Sequence, residues 1–144
     1  MENCTFCKIA CRKIRPEDIF YEDEKLFAMI DQDWAVKGHV LVIWKKHVRN
    51  ISDLSEKNFL HFSKIVRKTE ACLLDYLNVD KSIILKSGGL QSHFHFHIYP
   101  VKSDISWEAV KDIFDKKARY TPSDLEAKDL IIHLKKVLWN YDRK

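Results

Sequence analysis

Three histidines alternate with large apolar residues in one segment near the middle of the chain, His93-Phe94-His95-Phe96-His97-Ile98-Tyr99-Pro100. Alternation with a period of two predicts a β-strand with one buried face, because successive side chains of a strand point to opposite sides of the sheet. The apolar side chains are therefore expected to face the core, and the three imidazoles to share the opposite face. A polar strand face without any chemical role would show the same pattern, so the role of the histidines depends on the residues that the fold brings beside them.

The spacing of the three imidazoles argues against one metal ion bound by all of them. A strand rises about 3.3 Å per residue, so the side chains of His93 and His97 start roughly 13 Å apart. Metal–nitrogen bonds are only about 2.0–2.1 Å long. We therefore expect the three histidines to have different roles, some binding a metal or stabilising the structure and others taking part in catalysis.

The composition describes an ordinary soluble domain. A chain of 144 residues with 46% hydrophobic and 32% charged residues is long enough to form one domain with a buried core. Its 25 basic and 21 acidic residues are well mixed and give a formal charge of +4, so neither nucleic-acid nor membrane binding is expected. The longest apolar runs, such as Val40–Trp44, are far too short to span a bilayer. No apolar segment follows Met1, so we expect no secretory signal and a cytoplasmic, reducing environment for the cysteines.

The hydrophobic pattern predicts strands grouped around one long helix. A helix is expected from a cap at Ser55 to about Asn78, because apolar residues recur there at helical spacing. The predicted strands are Ile19–Glu22 and Leu26–Ile30, which form a hairpin, Val40–Trp44, which reads as a buried central strand, 83–86, and the histidine strand at about 92–101.

Helices are also expected at both ends of the chain. Residues 6–13 have weak helical character, and two helices are predicted in an extension at about 104–144. The first of these carries Trp107, Val110, Ile113 and Phe114 on one face, and the second opens at Thr121-Pro122 and buries Ala127, Leu130, Ile131, Leu134, Val137 and Leu138. This order of elements predicts a single α+β domain over residues 1–144, with an antiparallel sheet packed against the long helix.

Cys4 and Cys7 form a C-x-x-C pair, which is half of a typical zinc site. The chain has no second such pair, so further ligands must come from elsewhere, and histidine is the natural supplier. His47 is one candidate, because it follows a buried strand where a loop can turn back towards the sheet. A redox pair would need a preceding strand and a βαβ pattern, which are absent, whereas a purely structural pair of thiols stays open. Cys11 shares the helical phase of the pair and is a substitute ligand, and Cys72 is expected in the core.

Together these residues resemble the histidine triad (HIT) family of nucleotide hydrolases and transferases. The family pattern of three histidines separated by single apolar residues is matched in full by residues 93–99, and Pro100 stands where many members have proline. The resemblance extends upstream through residues 4–9, 21–24, 26–31 and 38–47, so that it covers the chain from residue 4 to about residue 102.

The resemblance implies one structural zinc ion. In zinc-containing members the C-x-x-C pair, the histidine after the buried strand and the first triad histidine bind the metal. These positions correspond to Cys4, Cys7, His47 and His93.

The resemblance also implies a reaction at the α-phosphate of a nucleotide. His95 is expected to be the nucleophile that becomes transiently nucleotidylated, and His97 to contact the phosphate and assist the leaving group. Asp31 is expected to hold the ribose hydroxyls, and Phe6 and Ile9 to line the base pocket.

The loop before the triad departs from the family pattern. Many members carry glycine-glutamine four to five residues before the first triad histidine, but here Gln91 and Ser92 immediately precede His93. The phosphate loop is therefore shortened or rearranged, and both residues are kept as candidate nucleotide contacts.

The implied activity is hydrolysis of adenosine phosphoramidates or dinucleoside polyphosphates. The alternatives are nucleotidyl transfer to phosphate or a sugar phosphate, and nucleotide binding without catalysis. Related transferases usually carry glutamine at the last triad position, so His97 favours hydrolysis. A homodimer is also expected, in which Val40–Trp44 and the apolar face of residues 55–78 supply the paired surfaces.

Overall fold

The structure is a computed structural model that describes residues 3–14, 16–89 and 91–141. Its five strands are β1 (Ile19–Glu22), β2 (Leu26–Ile30), β3 (Val40–Trp44), β4 (Lys81–Leu85) and β5 (His95–Val101). Its helices are α1 (Thr5–Ala10), α2 (Glu56–Leu77), α3 (Trp107–Phe114) and α4 (Asp124–Tyr141), with one 3₁₀ turn at Ile51–Asp53. The strands form one antiparallel sheet in the order β1-β2-β3-β5-β4, so the predicted α+β class is confirmed.

Strand β3 lies at the centre of the sheet, and its position explains its unbroken apolar sequence. Leu41 pairs with Met29 on one side and with His97 on the other. Every residue of β3 is buried, because helices cover both faces of the central strands. The histidine strand β5 is therefore paired with a fully buried strand.

The two faces of the sheet bury different sets of side chains. On one face the even-numbered residues of β2, β3 and β5, such as Ala28, Val42 and Phe96, pack under α2 and α4. On the other face the odd-numbered residues of β2 and β3 pack under α1, while α3 packs near Tyr99. The histidines of β5 share this second face, where the space between α1 and α3 stays open.

The long helix α2 has the ends that its sequence predicts. The hydroxyl of Ser55 accepts a hydrogen bond from the backbone N–H of Asn58 (3.3 Å), which caps the first turn. Asn78 ends the helix in the left-handed conformation (φ 51°), which asparagine tolerates better than most residues. No helix among the described residues is long and apolar enough to cross a membrane.

Helix α1 ends at Ala10 rather than at Lys13, and three further elements have boundaries that differ from those predicted. Strand β5 begins at His95 rather than near residue 92, because Phe94 instead exchanges backbone hydrogen bonds with Trp44 and Val48. Strand β4 spans Lys81–Leu85 rather than 83–86, and its polar Ser82 donates to the carboxylate of Glu70 on α2.

The third of these elements is α4, which begins at Asp124 and not at Pro122. Ser123 and Glu126 exchange hydrogen bonds between side chain and backbone, and this reciprocal capping sets the first turn.

The predicted apolar faces of the C-terminal helices are only partly buried. Val110 and Ile113 of α3 are buried, whereas Trp107 and Phe114 from the same predicted face are 68% and 41% exposed. Helix α3 is short and contacts the sheet through a single ridge, which leaves its ends in solvent. On α4, Leu130, Leu134 and Leu138 are buried as predicted, Ala127 and Ile131 are half-buried, and Val137 is exposed.

The expected dimer surface on Val40–Trp44 is also wrong. Both edges of β3 are already paired, with β2 and with β5, so this strand has no backbone groups left for a second copy. The described edge strands of the sheet are β1 and β4.

Candidate active site and metal centre

Two cysteines and two histidines converge beside α1. Cys4 precedes α1, Cys7 lies within it, His47 follows β3 and His93 precedes β5. The Nδ1 atom of His93 lies 3.4 Å from Cys4 Sγ, 3.5 Å from Cys7 Sγ and 3.2 Å from His47 Nδ1. All four ligand atoms lie within 4.8 Å of one another. A tetrahedron with metal–ligand bonds of about 2.0–2.3 Å has edges of about 3.3–3.8 Å, so these separations suit one four-coordinate ion.

The hydrogen bonding of His93 also suits a ligand. Its Nε2–H donates to the backbone carbonyl of Trp44, which leaves the lone pair of Nδ1 directed at the cysteines. Burial lowers the pKa of His93, and burial followed by the neighbouring Cys4 raises the pKa of Cys7 to about 11. Neutral imidazoles and two thiols that a bound cation would deprotonate form the donor set that zinc prefers. The residues present therefore fit the metal.

A second cluster links three imidazoles to one carboxylate. His95 Nε2 lies 3.1 Å from His97 Nε2, and His97 Nδ1 lies 3.0 Å from His39 Nε2. The carboxylate of Asp31 lies 3.5 Å from His39 Nε2 and 3.8 Å from His97 Nδ1. At the other end, Nδ1 of His95 lies 2.6 Å from the backbone carbonyl of His93.

The contact with a backbone carbonyl assigns the tautomer of His95. The carbonyl of His93 can only accept, so Nδ1 of His95 carries the proton and its Nε2 presents a lone pair. Nδ1 of His39 lies 3.3 Å from the backbone carbonyl of Asp33 and 3.4 Å from the backbone N–H of Ala35, so this atom has a hydrogen-bond partner with or without a proton. His97 lies between His39 and His95 and is within hydrogen-bond distance of both rings.

Burial keeps these rings neutral. It lowers the pKa of His39 and of His95, against a smaller opposing influence of Asp31. It also lowers the pKa of His97 to about 3, with further contributions from His95, His39 and the positive charge of Lys116. A neutral imidazole is a competent nucleophile or hydrogen-bond donor, whereas a protonated His95 would have no lone pair to attack with.

The His95–His97 pair forms the floor of a cavity of about 520 Å³ between α1 and α3. Phe6 and Ile9 of α1 form an apolar wall, and the Phe6 ring centroid lies 4.9 Å from that of His95. The other residues that line the cavity include Met29 and Leu41 beside α1, the acids Asp31 and Asp33, the loop residues Ser87, Gly89 and Gln91, and Ile113, Phe114 and Lys116 at the end of α3.

The structure brings most of the sequence-predicted site residues to these two clusters. Phe6, Ile9, Asp31, Gln91, His95 and His97 line the cavity, and the four predicted metal ligands form the other cluster. Ser92 is exposed and does not line the cavity.

Two residues of the cavity region were missed by the sequence reasoning. His39 carries no motif that marks it as a site residue, because its place beside His97 follows from the pairing of β3 with β5. Lys116 lies in the C-terminal extension, where no motif marks it. Only the register of the sheet and the packing of α3 reveal these two residues.

One face of the sheet carries the row of histidines beside a cavity of about 520 Å³, and comparison with known proteins names the family. A model of the HIT domain matches residues 12–104, so the chain belongs to the HIT family of nucleotide-binding proteins and hydrolases. It is 36% identical over 101 residues to an uncharacterized HIT-like protein of Methanocaldococcus jannaschii, covering 67% of this chain and 78% of that one. It is 35% identical over 104 residues to protein hit of Bacillus subtilis, covering 69% and 71%.

Solved structures show the same fold. A hypothetical histidine triad nucleotide-binding protein of Sulfolobus tokodaii superposes with a TM-score of 0.74 and 27% identity, covering 98% of this chain and 95% of that one. A Zn-bound histidine triad family protein of Mycobacterium smegmatis also gives a TM-score of 0.74, but at 21% identity, covering 99% and 97%. Among curated relatives with a named activity, a bis(5'-adenosyl)-triphosphatase of Dictyostelium discoideum is 28% identical over 94 residues, covering 62% and 63%.

Proposed function

We propose that this chain hydrolyses nucleoside 5′-phosphate derivatives, of the phosphoramidate or dinucleoside polyphosphate type, through a nucleotidyl intermediate on His95. The observation that carries the proposal is the orientation of the His95 ring. Its Nδ1–H is held by the carbonyl of His93, and its Nε2 is the atom next to His97 on the cavity floor. A ring fixed in this way needs no reorientation before its lone pair attacks phosphorus.

The first half of the reaction forms the bond between His95 Nε2 and the α-phosphorus. The bond from phosphorus to the leaving group breaks, and its electron pair goes to the leaving atom. In the tautomer with its proton on Nε2, His97 donates a hydrogen bond from this atom, which lies 3.1 Å from His95 Nε2, to the leaving group. His39 follows His97 in the chain of imidazoles and keeps it oriented through Nδ1. Water then attacks the nucleotidyl-histidine and releases the nucleoside monophosphate.

The two ends of the cavity suit the two parts of a nucleoside. The apolar wall around Phe6 and Ile9 matches the face of a base. The carboxylate of Asp31, which is 20% exposed, can accept hydrogen bonds from vicinal ribose hydroxyls. The relative of Dictyostelium discoideum with a dinucleoside triphosphatase name supports this substrate class.

The deciding experiment is a product analysis in water enriched in oxygen-18. Purified protein is incubated with adenosine 5′-phosphoramidate, diadenosine polyphosphates and nucleotide sugars, with and without added phosphate. Hydrolysis produces adenosine monophosphate that carries the label. A product that lacks the label and is formed only when phosphate or a sugar phosphate is present would instead indicate nucleotidyl transfer, and retention of nucleotide without turnover would indicate a binding protein.

His95→Asn is expected to lower turnover by about 10⁴-fold or more, because covalent catalysis has no substitute nucleophile at this position. Adenosine monophosphate should still bind, since the walls of the cavity are unchanged. The measurement is single-turnover kinetics together with trapping of the radiolabelled nucleotidyl-protein after acid-free denaturation. His133→Asn on α4 is the matched control, because that histidine packs on Tyr76 away from the cavity. Near-normal turnover in His95→Asn would exclude His95 as the nucleophile.

We also propose that the ion held by Cys4, Cys7, His47 and His93 is zinc and that it is structural. A closed set of four protein ligands leaves no open position for an activated water, so the ion stabilises the fold rather than taking part in the chemistry. The Zn-bound protein of Mycobacterium smegmatis supports the metal. Four free cysteines also favour a reducing compartment such as the cytoplasm.

A further inference from the structure

The charges around the cavity are unevenly distributed. Asp31 and Asp33 contribute two carboxylates at the end of β2, and the histidines of the floor are neutral. Among the described residues that line the cavity, Lys116 is the only lysine or arginine. Without Lys116, this lining would have no positive charge to offer a substrate.

Lys116 belongs to the wall that faces away from α1. It follows the end of α3, and its neighbours on the cavity wall are Ile113 and Phe114 of that helix. The apolar wall for the base lies on the opposite side, on α1. A nucleoside held against Phe6 with its phosphorus over His95 therefore directs its leaving group towards α3 and Lys116. The charge of Lys116 also contributes to lowering the pKa of His97, in agreement with a location near that ring.

The backbone of Lys116 supplies an independent observation. Its φ is +57°, in the left-handed region where glycine is favoured at the end of a helix. The turn itself is held by backbone hydrogen bonds from Lys117 and Ala118 to the carbonyl of Asp112, at 2.8 and 2.9 Å, and these bonds do not use the side chain of Lys116. Glycine would form the same turn with less strain, as it would at Arg12 (φ +62°) after the end of α1, so the turn itself does not require the lysine side chain.

We propose that Lys116 is a specificity-determining residue, which selects substrates whose leaving group is a phosphate or polyphosphate chain over those whose leaving group is uncharged. The inference rests on the proposed function of the cavity. When the phosphorus–oxygen bond to a polyphosphate breaks, its electron pair stays on the leaving oxygen and adds to the negative charge there. His97 is neutral and can offer a hydrogen bond but no net charge. The ammonium of Lys116 therefore supplies the positive charge that offsets the negative charge on the leaving oxygen. An amine leaving group develops no such charge and gains nothing from Lys116.

Lys86 does not fill the same role. Its ammonium donates to the side chain of Asn50 (3.3 Å), and it does not line the cavity. Its charge acts on His95 from outside.

The test compares two substrates in buffer without added Mg²⁺, since the metal would screen a polyphosphate. The measured quantity is the ratio of kcat/KM for diadenosine tetraphosphate to kcat/KM for adenosine 5′-phosphoramidate. Lys116→Gly and Lys116→Gln are expected to lower this ratio about tenfold, the usual effect of one charge-assisted hydrogen bond. Lys116→Arg should keep it within about twofold of the wild type. Lys116→Gly also relieves the backbone strain, so its melting temperature should equal or exceed that of the wild type.

Arg12→Gly is the matched control. Arg12 follows the end of α1 with φ +62°, is exposed, and does not line the cavity. Its replacement removes the same charge and the same kind of strain as Lys116→Gly, and the ratio should not change. An unchanged ratio in both Lys116→Gly and Lys116→Gln, or an equal fall in Arg12→Gly, would overturn the proposal.

A binding measurement separates this proposal from the proposed activity. Inorganic tripolyphosphate is titrated by calorimetry into protein saturated with adenosine monophosphate. Lys116→Gly should weaken its binding about tenfold, and Arg12→Gly should not. If the wild type turns over none of the substrates, the proposed activity is wrong. The titration then tests by itself whether Lys116 binds a polyphosphate. Equal binding to the wild type and Lys116→Gly would then contradict its role.

Discussion

His97 illustrates how burial determines the chemistry of a single residue. Four groups surround its ring: His95 on β5, His39 before β3, Asp31 after β2 and Tyr99, which stacks on it. Burial, then the charges of His95, His39 and Lys116, hold its pKa near 3 in the folded state. In the unfolded chain a histidine titrates at about 6.5. Between pH 3 and pH 6.5, therefore, the unfolded chain binds a proton at His97 and the folded protein does not.

The wild type is therefore expected to lose stability as the pH falls below about 6.5. The contribution of His97 to the free energy of unfolding is fully present above that value, and by pH 5 about 2 kcal/mol of it is lost. His97→Gln removes this titration, so its stability should fall less over the same interval. Urea unfolding at pH 7.5, 6.5 and 5.0, with matched metal content, measures the difference. His133→Gln on α4 tests whether the loss of any histidine has this effect, and parallel pH profiles for the wild type and His97→Gln would contradict the expectation.

At the scale of secondary-structure elements, the cluster of two cysteines and two histidines joins α1 to the loops around the central strands. Helix α1 has only six residues and no side-chain cap, so it is too short to be stable by itself. Its apolar residues Phe6 and Ile9 pack on the sheet, and Cys4 and Cys7 bring it against His47 and His93. Zinc would therefore fix the wall of the base pocket while leaving the chemistry to β5.

Cys7→Ser is expected to abolish stoichiometric zinc and to lower the melting temperature by about 10 °C, the shift for a loss of about 3 kcal/mol in a domain of this size. Metal analysis and thermal unfolding check both effects. Cys11→Ser is the control, because that thiol is exposed and its nearest recorded partner is only the carbonyl of Lys8. Loss of catalysis in Cys7→Ser with unchanged zinc and stability would contradict a structural role.

Helix α4 packs against β1 and α2, and we propose that it belongs to the same folding unit as the sheet, within one domain of residues 1–144. Leu134 is 0% exposed, at the centre of the ridge that α4 presents to the core. Leu134→Ala should lower the free energy of unfolding by about 2–5 kcal/mol, because it leaves a cavity that the neighbours fill only in part. Ile132→Ala on the same helix should change it by less than about 0.5 kcal/mol, since Ile132 is exposed. Chemical denaturation of both variants measures the change in the free energy of unfolding. If both substitutions change it by less than about 0.5 kcal/mol, α4 does not belong to the same folding unit as the sheet.

At the scale of the whole molecule, the sheet has two edges that are protected differently. Strand β1 is covered by α4, whereas β4 presents a free edge with Ile84 43% exposed. A free edge with an apolar residue favours pairing with another strand. We therefore propose that the homodimer expected from the sequence forms through β4 and not through Val40–Trp44.

Ile84→Lys is expected to shift the protein from dimer to monomer, because it places a charge in the paired surface. Sedimentation equilibrium at micromolar concentration measures the mass, for which the monomer is 17.1 kDa. Ile132→Lys on the exposed face of α4 should leave the mass unchanged. A wild type that sediments only as a 17.1 kDa species would contradict the dimer altogether.

The sequence carried most of the local information. The period-two alternation of residues 93–99, the apolar run of β3 and the capping residues of α2 depend on neighbours close in the chain, so they were readable without a structure. The boundaries of β4 and α4 were not, because a hydrogen bond from Ser82 to α2 and the reciprocal caps of Ser123 and Glu126 determine them.

The pattern of amino acids alone predicts the α+β class, the row of histidines and the residue types of a candidate metal site. Which side chains meet depends on the fold. Cys4 and His93 are 89 positions apart, and His39 and His97 are 58 apart, yet each pair is in contact. Their contacts follow from the antiparallel register of the central strands and from helices packed over one face. Such long-range pairings have no periodic trace in the sequence, because the energy that selects them comes from burial of the whole core rather than from any local pattern.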